Sequence, residues 1–202
     1  MSMNIIIISS SMQDNSQTLK VSKFLQEVLK EKKIETNLFN LLDENLPFYN
    51  LDKKLNTNWI KIKQAITKSD GFILATPEWN GSASPMLLNF LQYCSYDEMA
   101  HKPALLVSVS AGRGGANPIL QMRQSSYKNN RILYIPEHLI VRNVQSVMNP
   151  INSENITDAK ADEVIKTRTN YAIDILLGYA ESLKILRSNT DFRFDEFKNG
   201  MS

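Results

Sequence analysis

Three short segments carry the residue types that could hold a ligand. The first, Ser9-Ser10-Ser11-Met12-Gln13-Asp14-Asn15-Ser16-Gln17-Thr18, leads straight into a helical pattern. A helix N-terminus offers unpaired N–H groups and partial positive charge, and neighbouring hydroxyls add donors, so this loop is built like a phosphate cradle. N-capping by Ser16 amid solvated serines is the plain structural alternative. The loop contains no glycine, and no Gly-x-x-x-x-Gly-Lys-Ser/Thr occurs in the chain, so neither a dinucleotide fingerprint nor a P-loop is present.

The second segment is Thr76-Pro77-Glu78-Trp79-Asn80-Gly81-Ser82-Ala83-Ser84-Pro85. Pro77 fixes one backbone angle and Asn80-Gly81 permits a tight turn with positive φ, which exposes consecutive N–H groups beside an aromatic ring. Such a rim suits a flat heteroaromatic ligand with carbonyl oxygens and ring nitrogens along its edge; a simple strand-to-helix turn with Trp79 packed inward is the alternative. The third segment, Ser110-Ala111-Gly112-Arg113-Gly114-Gly115-Ala116-Asn117, holds three of the chain's 7 glycines. In a chain so poor in glycine, that concentration points to backbone in close approach to something, against the alternative of a loose surface loop.

Other chemistry is thinly represented. His101 and His138 are the only histidines and Cys94 the only cysteine, so a metal centre is not expected, and the histidines read as surface or capping residues. Gly81-Ser82-Ala83-Ser84 lacks the Gly-x-Ser-x-Gly elbow of serine hydrolases. Cys94, in an apolar helix, reads as a small buried hydrophobe.

The elements that must position these loops alternate between strand and helix. Ile5 to Ile8, four isoleucines without alternation, predict a strand over Asn4 to Ser9 that is buried on both faces, as in the middle of a parallel sheet. A helix follows from Ser16, with Val21, Phe24, Leu25, Val28 and Leu29 on one stripe. Ile34 to Leu41 is a weaker strand, Trp59, Ile62 and Ile66 space a second helix, and Gly71 to Thr76 makes a third strand. Ser84-Pro85 predicts a hydroxyl N-cap with proline at the first helical position, opening a helix apolar almost all round. Pro103 to Ser110 is the fourth strand, and Asn117-Pro118 repeats the cap-and-proline device. Ile132 to Val141 is the fifth strand, interrupted near Pro136. A helix from about Thr157 to Leu186 closes the series, with Ile165, Ala172, Ile175, Leu176, Tyr179 and Leu183 on one face. Five alternations argue for an α/β doubly wound parallel sheet, and ligands bind such sheets beyond the carboxyl ends of the strands, where the three loops lie.

The 202 residues suit one domain, here residues 1–187, followed by a tail over 188–202 that reads either as a docking arm or as a frayed end. With 43% hydrophobic and 22% charged residues the composition is that of an ordinary globule. A net charge of +2 with no long basic run argues against a nucleic-acid binder. No signal-peptide pattern and no apolar run long enough for a membrane span occurs, so no membrane is expected, and with a lone cysteine the cytoplasm is the expected location.

The same three loops carry a family resemblance. Thr76-Pro77-Glu78-Trp79-Asn80-Gly81-Ser82 resembles the Thr-Pro-Glu-Tyr-Asn-Gly-Ser motif of the NADPH-dependent FMN reductase family, flavodoxin-like proteins that include azo-, quinone- and chromate-reducing members. Ser110-Ala-Gly-Arg-Gly-Gly is similar to that family's glycine-rich loop, and the first loop aligns with its Gly-Ser-x-Arg-x-x-Ser-x-Asn at Ser11 and Ser16. Leu46-Pro47-Phe48-Tyr49 resembles its proline-containing segment after strand two. The similarity covers about residues 4 to 186. Departures are Ser10 for the glycine, Gln13 for the arginine, Thr18 for the asparagine and Trp79 for the tyrosine.

What the resemblance implies is a flavodoxin-like five-stranded sheet in the order 2-1-3-4-5 with helices on both faces, noncovalent FMN, and NADPH or NADH as hydride donor. The cofactor carries the chemistry, so no catalytic acid or nucleophile is expected. The resemblance assigns the phosphate to Ser11, Gln13, Ser16, Gln17 and Thr18, one ring edge to Pro77, Glu78, Trp79, Asn80 and Gly81, and another part of the ring to Ser110, Gly112, Arg113, Gly114 and Gly115. Arg113 could instead meet the NADPH phosphate. Without the family arginine, a phosphate contact could come from Lys20 or a neighbouring subunit. The expected partner is a small electron acceptor. An electron carrier or redox sensor without turnover is the alternative, against which stands a pI near 8.5. The long connection from Arg142 to Ile156 and the long last helix add to the family habit of oligomers, so a homodimer or homotetramer with the flavin near a subunit boundary is expected.

Overall fold

Ile5, Ile6, Ile7 and Ile8 are all fully buried, and they alternate between two separate cores, Ile5 and Ile7 on one side of the sheet and Ile6 and Ile8 on the other. That is why the run shows no polar alternation: a central parallel strand has no wet face. The computed structural model describes residues 3–50, 56–151 and 153–199. Strands β1 (Asn4–Ser9), β2 (Glu35–Asn40), β3 (Gly71–Pro77), β4 (Pro103–Val109) and β5 (Leu133–Val141) form one sheet in the order β2-β1-β3-β4-β5. Every pairing is parallel. The expected doubly wound topology is therefore present.

One face is covered by α1 (Gln17–Glu31) and the final helix, α7 (Ala159–Asn189), whose Val21, Leu25, Leu29, Ala172, Ile173 and Leu176 share a core. The other face is covered by α3 (Thr57–Thr67), α4 (Pro85–Tyr93) and α6 (Ala116–Gln124), with the short α2 (Leu41–Glu44) and α5 (Tyr96–Met99) at the margins. Ser84 caps α4 through the Met86 N–H, with Pro85 at its first position as expected.

Four expectations need correction. Helix α6 starts at Ala116 and takes Gly115, at φ 100°, as its N-cap, so Asn117 and Pro118 fall inside the first turn. Proline is tolerated there because the first N–H groups of a helix have no internal partner. On α7, Tyr179 points outward while Ile173 and Ala180 are buried. The tail neither frays nor reaches out: Phe192 and Phe194 stack on His101, and Arg131 lies 4.7 Å from the Phe194 ring. Residues 200–202 of that tail lie outside the described residues. His101 is accordingly half-buried in an aromatic stack, and His138 turns a buried Nδ1 inward, so neither is a plain surface residue.

Strand β5 is interrupted near Pro136 as expected. Its register against β4 slips between Ala104 and Leu106, and the Arg123 guanidinium donates to the carbonyls of Ile135 and Pro136 at 2.8 and 2.9 Å. Those carbonyls have left the ladder, and a fixed cation satisfies them.

Lys102, immediately before β4, is 6% exposed and donates from Nζ to the last carbonyls of α3, those of Ile66 and Thr67, at 2.8 Å each. Burial, aided by Arg187, pushes its pKa down to about 7, with Asp70, Glu98 and Cys94 pulling the other way. A neutral amine still has two N–H donors for these two bonds. An unfolded lysine titrates near ~10.4, so above pH about 7 the unfolded chain binds more protons than the folded one and stability rises with pH until about 10. Urea midpoints of the wild type and Lys102→Met across that window check this. The variant's profile should be flatter, and an equal rise in both would place the effect elsewhere.

Candidate active site

The sheet order reverses between β1 and β3, and the loops leaving β1, β3 and β4 all rise from that carboxyl edge. Hydrogen bonds weld them together. Ser10 donates from both its N–H and its Oγ to the Ala75 carbonyl, at 3.1 and 2.8 Å, fastening the first loop to the end of β3. The Glu78 N–H donates to the Val109 carbonyl at 2.9 Å, fastening the second loop to the end of β4. Glu78 Oε2 in turn accepts the Gly115 N–H, and a Cβ on Gly114 would overlap that same carboxylate oxygen.

The glycine concentration thus resolves into separate causes. Gly114 is small to admit the Glu78 carboxylate. Gly115 needs its positive φ, and a Cβ there would run into Ile140. Only Gly112 faces open space, with nothing within 4 Å of a Cβ built on it. For two of the three, what the backbone approaches closely is the protein itself.

In the second loop, Trp79 and Ser82 exchange N–H···O bonds of 3.2 and 2.9 Å around Asn80 (φ 49°) and Gly81 (φ 70°), a two-residue hairpin of the left-handed kind. The N–H groups of Glu78, Trp79 and Ser82 are consumed within the protein, and Pro77 has none. Among the described residues, the donors left for a ligand edge are the N–H groups of Asn80 and Gly81. Trp79 stands 38% exposed on the rim, so it is not the inward packing residue of the alternative reading.

In the first loop, Ser16 is the N-cap of α1 and its Oγ accepts the Leu19 N–H at 3.1 Å. The N–H groups of Gln17 and Thr18 therefore remain unpaired among the described residues, as the first turn of a helix requires. Gln17 Oε1 is buried without a partner among the described residues. Ser11 is buried and accepts the Gln13 N–H at 3.3 Å, while the Gln13 side chain is exposed at the mouth. Thr18 is 1% exposed. Ser110 is buried, with its N–H given to Val141 and its carbonyl taken by Val144. Arg113 is exposed, with no partner among the described residues.

Lys20 does not serve as a phosphate contact. Its ammonium donates to the carbonyls of Val144 and Val147 at 2.6 and 2.9 Å and to Asn149 Oδ1 at 2.7 Å, which uses all three donors. Burial lowers its pKa, with Asp162 opposing. Through this clamp α1 holds the connection after β5, and that connection buttresses the glycine loop: Asn143 N–H donates to the Gly112 carbonyl at 2.9 Å and Arg142 Nε to the Gly114 carbonyl at 2.8 Å. Arg142 and Asn143 had no sequence signal beyond the unusual length of their connection.

This donor set suits a phosphate bound by helix dipole and hydroxyls without a cation, next to a flat edge met by two free amides and the open space over Gly112. Compared with known proteins, residues 3–146 match the model of the family described as NADPH-dependent FMN reductase. The chain belongs to that family. It is an NAD(P)H-dependent flavin oxidoreductase by membership, and FMN is the family's cofactor. The reductase is 31% identical over 126 residues to the NADPH azoreductase of Bacillus sp. (strain OY1-2), a match covering 61% of this chain and 68% of that protein. It is 30% identical over 126 residues to the FMN-dependent NADPH-azoreductase of Staphylococcus aureus (strain USA300), covering 58% of this chain and 66% of that one. Among solved structures, the flavoenzyme NAD(P)H:(acceptor) oxidoreductase FerB from Paracoccus denitrificans superposes with TM-score 0.69 at 21% identity, covering 90% of this chain and 98% of FerB. An NADH:FMN oxidoreductase in its apo form superposes with TM-score 0.67 at 17% identity, covering 98% and 95%. At such identities the structures speak for the fold.

Proposed function

We propose that this reductase takes hydride from NAD(P)H and passes electrons to a small oxidised acceptor of the azo or quinone class, with FMN held across the three loops. The welding of those loops to one another, the first to the end of β3 through Ser10 and the second to the third through the Glu78 carboxylate, is the observation that carries the reading. Bound FMN supplies the chemistry of accepting hydride and releasing electrons. The protein's part is to hold and orient. Ser11, Gln13, Ser16, Gln17 and Thr18 take the phosphate at the α1 N-terminus, and the free amides of Asn80 and Gly81 meet one ring edge. Ser110 and Gly112 to Gly115 back the ring, with Gly112 leaving room for it. Trp79 walls the nicotinamide slot and Arg113 meets the dinucleotide phosphate. The purified protein should carry about one FMN per chain and oxidise NADPH steadily when given menadione or methyl red. A single stoichiometric bleaching without turnover would favour the electron carrier.

The Gln13→Arg protein should bind FMN more tightly by up to about 1.5 to 3 kcal/mol, because a guanidinium at the mouth adds a charge-assisted bond to phosphate. That gain should shrink as salt is added. Titration of the flavin fluorescence at two ionic strengths measures it; an unchanged dissociation constant would move the phosphate away from Gln13.

The reading extends to a homodimer or homotetramer in the cytoplasm, supported by the exposed Met12 and Trp79 at the mouth and by the single buried thiol of Cys94. Among the described residues no helix is long and apolar enough to cross a membrane.

A further inference from the structure

Helix α7 turns one long face to the sheet and leaves the other bare. Along the bare face Val164, Tyr171 and Ile185 are 62%, 50% and 59% exposed, and Gly178 has nothing within 4 Å of a Cβ built on it. These four are spaced by sevens, the repeat of a helix that meets another helix along one seam. Two open grooves lie on this face. One of about 690 Å³ is lined by Lys160, Glu163, Val164, Thr167, Arg168 and Tyr171, and one of about 390 Å³ by Asp174, Ile175, Gly178, Tyr179 and Ser182.

The two grooves are mirror lists of one another. An antiparallel pairing with its two-fold axis at Tyr171 sets Arg168 opposite Asp174, Thr167 opposite Ile175, Val164 opposite Gly178, Glu163 opposite Tyr179 and Lys160 opposite Ser182. Apart from Tyr171, which meets its own copy, every residue of one groove then meets a residue of the other. We propose that this face is an interface between two copies of the chain, α7 packing antiparallel on the partner's α7 about Tyr171. Shape agrees, since the branched Val164 enters the space left over the partner's Gly178.

Charge agrees too. Within one chain Arg168 pairs with Glu137, and Asp174 accepts from Lys32 at 2.7 Å. Bringing Arg168 against the partner's Asp174 joins these into a chain of alternating sign, Glu137, Arg168, then the partner's Asp174 and the partner's Lys32, formed twice by the symmetry. Glu163 gains the partner's Tyr179 hydroxyl as a donor. A membrane surface would need basic residues along the seam, whereas here Glu163 and Asp174 sit among them.

The interface is independent of the flavin reading. The N-terminus of α7 stands at the end of the sheet that carries the three loops, so an antiparallel pair places the two mouths far apart and covers neither.

Cysteine cross-linking and one bulky substitution test it. Tyr171→Cys, the one position that faces itself, should cross-link into a disulfide dimer under mild oxidation. Glu163→Cys and Tyr179→Cys should do so only when the two proteins are mixed. Gly178→Gln, built where the monomer has room, should sediment at half the wild-type mass while keeping the wild-type circular dichroism and FMN content. A wild-type protein that is monomeric at micromolar concentration, a Tyr171→Cys protein that does not cross-link, or an unchanged mass for Gly178→Gln would overturn the proposal.

Discussion

The Gly112→Val protein should lose about a hundredfold or more in FMN affinity, some ~2.7 kcal/mol, while melting within a degree or two of wild type. The reason is the emptiness around it. Nothing lies within 4 Å of a Cβ at Gly112 and its φ is ordinary, so valine costs the folded protein little. The branched side chain instead occupies the space proposed for the ring. Gly114→Val makes the contrast. A side chain there collides with the Glu78 carboxylate and breaks its bond to the Gly115 N–H, so both flavin affinity and melting temperature should fall. Equilibrium dialysis with FMN and calorimetry on the two proteins separate the effects. Wild-type FMN affinity in Gly112→Val would show that the ring does not lie over this loop.

The second large effect is expected at Lys20. Lys20→Met removes three charge-assisted hydrogen bonds at once, leaves the Val147 carbonyl without its donor and leaves the Val144 carbonyl only the Val147 N–H at 3.5 Å. Bonds to charged groups contribute roughly 1.5 to 3 kcal/mol each when well buried, and water can replace part of this at a half-exposed site, so a loss of about 2 to 4 kcal/mol is expected. For a chain of this length that lowers the melting temperature by roughly 5 to 15 °C. Because the released connection also carries Arg142 and Asn143, flavin affinity should drop with it. Lys20→Arg should not restore either property. A planar fork cannot aim three donors at acceptors arranged around a point charge. Thermal melting and FMN titration of the three proteins check this; a stability loss with unchanged flavin affinity would cut the connection out of the site.

The elements were legible because each is encoded within a few neighbouring residues. The unbroken isoleucine run specifies a strand with no wet face, Ser84-Pro85 a helix start, and the Val21, Leu25, Val28 and Leu29 stripe the buried side of α1. Alternation of such elements then leaves a parallel sheet as the way to bury every apolar face, and the right-handed crossover narrows the order further. The position of the site at the carboxyl edge follows from the same topology, which is why three loops far apart in the chain could be singled out together.

Only the tertiary structure decided what those loops do to one another. Glu78 reaches Gly115 across 37 residues and Lys20 reaches Val144 across 124, and no local periodicity records either bond. Two side chains act as struts that the sequence does not announce: Glu78 holds the glycine loop and Lys20 holds the connection behind it. The outward turn of Tyr179 and the folding of Phe192 and Phe194 onto His101 have the same origin. A helix stripe can be read from its own residues, but which edge of the stripe meets the sheet depends on the neighbours it packs against. Those neighbours are contributed by distant parts of the chain.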